Sequence, residues 1–136
     1  MIRTRGLTLG RGSIMGSSYK DLRAWKQSVD LALEIYRCTQ KFPKDELYGL
    51  TSQLRRAAVS VPSNIAEGKG RSSDRELVLF LYHARGSLLE VETQLFIARE
   101  LRYLDQPEAE QLLGLVGTLA KVLNALINSL RKPMAA

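Results

Sequence analysis

Apolar residues recur every three or four positions along most of this chain, in four stretches separated by proline, glycine and helix-capping residues. This spacing places apolar side chains on one face of an α-helix, and no stretch alternates as a half-buried strand would. The predicted core stripes are Leu22, Trp25, Val29, Leu33 and Tyr36; Leu47, Leu50, Leu54, Ala58, Val61 and Ile65; Leu77, Leu81, Ala84, Leu88, Val91 and Leu95; and Leu112, Leu115, Leu119, Leu123, Leu126 and Leu130. The sequence therefore predicts an all-α protein of four helices.

Polar residues mark where these helices begin. Predicted helix starts lie at Ser18, at Asp45 or Glu46, at Ser73 and at Asp105. Ser73 with Glu76 three residues later has the spacing of a capping box. Because the connections between the four helices are short, we predict an antiparallel up-and-down four-helix bundle.

Proline and glycine punctuate the second helix. Pro62 lacks a backbone donor and clashes with the carbonyl group one turn earlier, so it either bends or ends a helix. The apolar stripe continues in register from Val61 to Ile65, and we therefore predict a helix kink at Pro62. Gly68 and Gly70 are expected to end the helix after this kink.

The first and third helices carry more apolar surface than one core requires. On helix three, a second stripe with heptad-like spacing, offset by about 115° from the core stripe, comprises Val78, Tyr82, Leu89 and Phe96. On helix one, the residues nearly opposite the core stripe are Ala24, Leu31, Ile35 and Cys38. A second contiguous apolar face indicates a partner, so we predict an oligomer interface that includes Leu31 and Ile35. The alternative is that both faces are buried within a single chain.

The basic charge is divided between an N-terminal tail and the helical part. The net charge is +6 and the isoelectric point about 9.7, which indicates an anionic partner. Residues 1–16 contain Arg3, Arg5 and Arg11 without any acidic residue, so they supply half of that charge. We predict a flexible basic tail at residues 1–16, with Met15 as an alternative start, and a four-helix bundle domain at residues 17–136.

Several functional classes are disfavoured by composition and motif spacing. Cys38 is the only cysteine, which excludes an internal disulfide and suits a cytoplasmic protein. No uninterrupted apolar run approaches about 18 residues, so no membrane span is expected. Lys69 is followed by Gly70 where a P-loop requires Ser or Thr, and the single histidine, His83, cannot supply a di-iron site. We predict no enzymatic activity, no cofactor and no metal.

Four basic residues on and just after helix two are the candidate nucleic-acid contacts. They are Arg55, Arg56, Lys69 and Arg71. Arginine binds phosphate through two hydrogen bonds and lysine acts as a point charge. The alternative is a solvated, salt-bridged face whose last cations complement the helix dipole. A ring of identical subunits would multiply such a patch, because phosphate contacts gain strength by number.

Three segments between residues 19 and 101 carry a family resemblance: YKDLRAWKQSVDLALEIY, FPKDELYGLTSQLRRAAVSVPSNIAEGKGR and FLYHARGSLLEVETQLFIAREL. In this order they resemble the four-helix-bundle proteins encoded in intervening sequences of bacterial 23S ribosomal RNA genes. The residues that match the family motif are Gln53, Arg55, Arg56, Ser60, Pro62, Asn64, Glu67, Gly68 and Arg71. The resemblance implies an antiparallel bundle that assembles as a ring, a homopentamer, and it carries over no catalytic residue.

A related branch, the accessory proteins of diversity-generating retroelements, consists of basic pentameric bundles that bind a reverse transcriptase and nucleic acid. From the residues and the resemblance together, we expect a non-enzymatic, cytoplasmic, ring-forming bundle that binds structured RNA through repeated basic patches. The alternative is a protein-interaction scaffold that holds a partner protein such as a reverse transcriptase.

Overall fold

Four α-helices make up most of the computed structural model, which describes residues 18–131. They are α1 (Arg23–Thr39), α2 (Leu50–Lys69), α3 (Asp74–Glu100) and α4 (Gln106–Leu130), with 3-10 turns at Tyr19–Asp21 and Lys44–Glu46. This range contains no strand, and the predicted all-α fold of four helices is confirmed. The basic tail predicted at residues 1–16 lies outside the described residues.

Side-chain caps define two of the helix starts. Ser73 Oγ accepts a hydrogen bond from the Glu76 backbone over 3.2 Å, and Asp105 Oδ1 accepts one from Glu108 over 2.8 Å. Both caps satisfy donors that a helix N-terminus leaves without partners. The predicted starts of α3 and α4 are therefore confirmed.

The other two helices begin later than predicted. Ser18 caps a 3-10 turn, and α1 starts only at Arg23. After the turn at Lys44–Glu46, the non-helical backbone of Gly49 delays α2 until Leu50, whose backbone donates to Glu46 Oε1 over 2.9 Å. The prediction missed these short turns because a 3-10 turn shares the capping signals of an α-helix.

Each helix packs against two neighbours. Within residues 18–131, α2 contacts α1 and α3, and α4 contacts α3 and α1, whereas the backbones of α1 and α3, and those of α2 and α4, do not approach closely. On α2 and α3, Ser60 bonds to Ser87 over 2.8 Å while Gly68 lies beside Leu77. This order of contacts is the one that antiparallel neighbours make. α1 and α3 are therefore diagonal to one another across the bundle.

The core matches the predicted stripe on α3 and most of the one on α2, where Leu47 is exposed and Leu50 only partly buried, but it does not match on α1. From Leu54 to Ile65 on α2 and from Leu77 to Leu95 on α3, the predicted core residues are buried. On α1 Leu33 and Tyr36 are exposed and the opposite face is buried, while Leu22 and Trp25 of the predicted stripe are partly buried against the core. That buried face includes Ala24, Ser28 and Ala32, whose small side chains suit close helix packing.

Helix α4 closes the bundle. Its predicted core residues Leu112, Leu119 and Leu123 are buried, Leu126 and Leu130 are partly buried, and Leu115 is exposed. Val116 and Ile127, which were not predicted, are buried instead. Among the described helices, only α4 is long and apolar enough to cross a membrane. No membrane span was predicted from the sequence, because that prediction considered only uninterrupted apolar runs. Core helices of helical bundles share this length and composition, and here the buried face of α4 packs on α1 and α3.

Pro62, predicted to bend the second helix, and Gly68, predicted to end it, both lie inside α2. The helix continues through Pro62, which is buried, and the predicted bend stays a prediction. Gly68 is also within the helix and buried, because α3 approaches it so closely that a side chain has no room. Gly68 is thus a packing residue, and the helix ends at Lys69 with Gly70 as its C-cap.

Candidate nucleic-acid interface

The four predicted phosphate contacts lie at two places along α2. Arg55 and Arg56 lie in its second turn, whereas Lys69 is its last residue and Arg71 lies in the connection to α3. At a rise of about 1.5 Å per residue, Arg55 and Lys69 are about 21 Å apart along the helix. The structure therefore divides the predicted patch into an Arg55/Arg56 pair and a Lys69/Arg71 pair.

Arg55 is anchored to α1. Its Nε donates a hydrogen bond to Thr39 Oγ1 over 2.8 Å, and its guanidinium carbon lies 4.6 Å from the centre of the Tyr36 ring. Thr39 is buried, and its hydroxyl donates in turn to the Ile35 carbonyl over 2.7 Å. These contacts join α1 to α2 and hold one positive charge at a defined place.

Arg56 lies beside the most exposed aromatic residue of the described chain. The Arg56 side chain is exposed, and within residues 18–131 it has no hydrogen-bond or ion-pair partner. Tyr48, in the connection before α2, is 92% exposed and lines the same open groove as Arg56. Sequence reasoning missed Tyr48, although an aromatic residue next to Gly49 and outside any helical stripe was an available signal.

The Lys69/Arg71 pair lies where α2 passes into α3. Arg71 Nη2 is 2.9 Å from Glu67 Oε2, and its guanidinium carbon lies 4.8 Å from the centre of the Phe80 ring. Lys69 and Arg71 line an open pocket together with Ser72. An exposed ion pair contributes at most about 1 kcal/mol, so a phosphate can replace Glu67 as the partner of Arg71.

Charge is distributed unequally between the two halves of the bundle. The half that contains the start of α1, the α2–α3 connection and the end of α4 holds basic residues Lys20, Arg23, Lys26, Lys69, Arg71, Arg75, Arg85, Lys121 and Arg131 and acidic residues Asp21, Asp30, Glu67, Asp74 and Glu76. The other half holds acidic residues Glu34, Asp45, Glu46, Glu90, Glu92, Glu100, Asp105, Glu108 and Glu110 and basic residues Arg37, Lys41, Lys44, Arg55, Arg56, Arg99 and Arg102. The half at the α2–α3 connection is therefore basic and the other is slightly acidic.

The predicted oligomer interface is partly wrong. Leu31 and Ile35 are 1% and 0% exposed and lie in the core, because α1 turns that face toward α2 and α4. Val78 is buried too, since it lies near enough to the core stripe of α3 to pack with it. These three residues are unavailable to a second chain.

The rest of the second stripe on α3 remains at the surface. Tyr82 is half-buried, and Leu89 and Phe96 are exposed, with Leu89 at 58%. The structure adds Leu79, Ile97 and Leu101, on or next to α3, which the sequence did not single out, and Leu33 and Tyr36 on α1, which were predicted to be core residues. Helices α1 and α3 therefore carry most of the exposed apolar side chains, with Val59 on α2 and Leu115 on α4 exposed as well.

Cys38 and His83 are the remaining side chains that could act as a nucleophile or a general base. Cys38 is buried, and this burial, with a smaller effect of the Glu108 carboxylate, raises the pKa of its thiol to about 11. A thiol with so high a pKa is a poor nucleophile at neutral pH. His83 is exposed and makes an edge contact with Phe80 at 6.0 Å between ring centres.

The model of the 23S rRNA-intervening sequence protein family matches residues 20–125. The chain belongs to this family. Its fold is also similar to a crystal structure of a protein of unknown function from the S23 ribosomal protein family of Bacteroides thetaiotaomicron, with a TM-score of 0.72 and 19% sequence identity. That similarity covers 77% of this chain and 95% of the other. No curated protein matches the chain.

Proposed function

We propose that this family member is a non-enzymatic, cytoplasmic helical bundle that assembles into a ring and binds structured RNA through basic patches repeated around that ring. The observation that carries the proposal is the concentration of basic residues in the half of the bundle at the α2–α3 connection. An isolated chain offers only a modest positive field there, because acidic residues are interspersed. Repetition in an oligomer raises the number of phosphate contacts and hence the affinity.

The exposed apolar residues support assembly into a ring. One group lies on α1 around Leu33 and the other lies on α3 around Leu89 and Phe96. Because α1 and α3 are diagonal in the bundle, these faces point in different directions. Two different faces that meet head to tail form a heterologous contact, which closes into a ring when the rotation allows. Five subunits is the number that the family resemblance favours.

Cyclic symmetry would place the basic halves on one side of the ring. Every subunit in a closed ring has the same orientation relative to the ring axis, so equivalent ends lie on the same rim. The Lys69/Arg71 pair and its neighbours Arg75 and Arg131 would then be repeated along that rim. Such an array suits the closely spaced phosphates of folded RNA.

Binding of a fluorescent RNA hairpin at several salt concentrations tests this function. We expect affinity to fall steeply between about 50 and 200 mM salt, because phosphate contacts release counterions. Lys69→Ala/Arg71→Ala should reduce the slope by about 1 for each phosphate-binding side chain that is removed. Arg37→Ala is the matched control: it removes an exposed charge that pairs with Glu34 in the other half, and it should leave the slope unchanged. Absent binding, or binding without salt dependence, would contradict the proposal.

A protein-interaction scaffold is the second candidate function. The exposed apolar residues of α3 favour it, because a partner protein would cover them as well as another subunit would. A scaffold predicts little affinity for the RNA hairpin and no effect of Lys69→Ala/Arg71→Ala on it. The salt titration therefore separates the two functions.

A further inference from the structure

Tyr48 is held at the surface by an ordered connection between α1 and α2. Residues 44–46 form a 3-10 turn, and the Glu46 carboxylate accepts hydrogen bonds from the Leu50 backbone and the Tyr103 hydroxyl, both over 2.9 Å. These two bonds lower the pKa of Glu46, so the carboxylate keeps its charge and both partners to a more acidic pH than an ordinary glutamate would. A large aromatic ring at 92% exposure on a fixed backbone is unusual, because such rings normally bury apolar surface.

Two adjoining grooves lie at this connection; Tyr48 lines one of them, and both are lined by basic residues without a carboxylate. The groove beside Tyr48 has a volume of about 380 Å³ and is lined by Tyr36, Leu47, Tyr48, Thr51, Ser52, Arg55 and Arg56. The next groove, also about 380 Å³, shares Leu47, Thr51 and Arg55 and adds Lys44. In a half of the bundle that is slightly acidic overall, this surface is locally cationic. Its charge therefore selects an anionic occupant.

The arrangement of the cations suits a phosphodiester chain. Arg55 is fixed by Thr39 and Tyr36, so its charge stays in place without an occupant. Arg56 extends from the next position of α2 and is unpaired within the described residues, and Lys44 lines the adjoining groove together with Leu47. Several cations that line adjoining grooves, with an exposed ring in the groove of two of them, are the parts of a single-strand binding surface.

We infer that this surface, defined by Lys44, Tyr48, Arg55 and Arg56, binds unpaired nucleotides of the RNA, with a base stacked on Tyr48 and phosphates at the cations. The inference rests on the proposed function and deepens it, because it assigns single-stranded segments to this surface and leaves paired regions to the basic rim. Bases in a duplex are stacked on one another and cannot stack on a side chain, whereas bases in loops and ends can.

An acidic peptide or a second subunit would fit the surface less well. An acidic peptide would use the cations but would gain little from an exposed tyrosine ring. A second subunit would be expected to cover a broad apolar area, whereas here the exposed side chains of Tyr36, Leu47 and Tyr48 lie among cations. Both occupants are separate outcomes of the experiment below.

Fluorescence anisotropy with a labelled single-stranded oligouridylate and a labelled RNA duplex tests the inference on the full-length protein. We expect Tyr48→Ala to weaken single-strand binding roughly tenfold, the effect of losing one stacked base, with little change in duplex binding. Tyr48→Phe should retain the affinity because it keeps the ring. Tyr48→Leu should lose it because it keeps only apolar bulk. Tyr48 is almost fully exposed, so none of these changes should alter the fold.

The outcomes distinguish failure of this inference from failure of the proposed function. If the Tyr48→Ala and unsubstituted proteins bound the single strand equally well, the inference would be overturned. Binding of the duplex in the same experiment would still support the proposed function. Displacement of the oligouridylate by poly-glutamate, with no effect of Tyr48→Ala, would show recognition of charge alone and would overturn the inference too. A smaller oligomer in light scattering of Tyr48→Ala would assign the surface to a subunit contact and overturn the inference. No binding of either RNA would overturn both.

Discussion

The close approach of α2 and α3 at Gly68 makes a specific prediction about stability. A Cβ atom at this position would lie 2.7 Å from Phe80 Cβ, 3.0 Å from Leu77 Cδ1 and 3.3 Å from the Leu77 carbonyl oxygen. Phe80 Cβ is attached directly to the backbone of α3, so it cannot rotate away from the added methyl group. Gly68→Ala therefore requires a shift of one helix against the other.

The expected magnitude follows from two opposing effects. Overpacking of a well-packed core costs about 1–3 kcal/mol. Alanine gains up to about 1 kcal/mol over glycine from helix propensity. Because the contact involves Cβ and backbone atoms rather than a flexible side-chain end, we expect the steric cost to exceed the gain. The free energy of unfolding should fall by about 1–2 kcal/mol.

Gly114 provides a matched control on α4. A Cβ atom there meets nothing within 4 Å in the described chain, so Gly114→Ala should gain helix propensity without a steric cost. Urea unfolding followed by circular dichroism, at one protein concentration, measures both variants against the unsubstituted protein. The midpoint should fall for Gly68→Ala and rise for Gly114→Ala. A Gly68→Ala protein at least as stable as the unsubstituted one would refute the close packing.

Two further predictions concern the α3 cap and the buried thiol. Ser73→Ala removes the hydroxyl that accepts from the Glu76 backbone and should cost about 1 kcal/mol in urea unfolding; no loss would contradict a capping role. Cys38 should react with a thiol reagent far more slowly in the native protein than in urea, and equal rates would contradict its burial. Because folding raises the pKa of this thiol from 9.0 to about 11, its contribution to stability is complete below pH 9.0 and is lost as pH rises towards 11. Cys38→Ala should remove that part of the alkaline decline, measured by urea unfolding between these pH values.

The sequence predicted the helices better than the faces they bury. On α3 the core stripe from Leu77 to Leu95 was predicted correctly, because larger apolar side chains at helical spacing lie on one side. On α1 both faces are apolar, and periodicity cannot decide which one the neighbouring helices cover. The buried face carries small residues such as Ala24 and Ala32, a preference that only the packing of α1 on α2 and α4 explains.

The candidate site was predicted in part. The sequence identified the arginines of α2, but not that Arg55 is anchored by Thr39, because this contact joins residues of two helices. Tyr48 was missed because the predicted helix started too early and absorbed the connection that exposes it. The division of charge between the two halves depends on which helix ends meet, and that information comes only from the tertiary structure.

The mass of the purified protein in dilute solution, measured by light scattering, tests the central claim of ring assembly most directly. The exposed stripe of α3 predicts a mass several times that of the 15.2 kDa chain. Leu89→Glu should reduce it to that of one chain with helicity retained, because Leu89 lies outside the core. His83→Glu, at another exposed position of α3, should leave the assembly intact. An unsubstituted protein with the mass of a single chain would contradict ring assembly and, with it, the repeated basic patches.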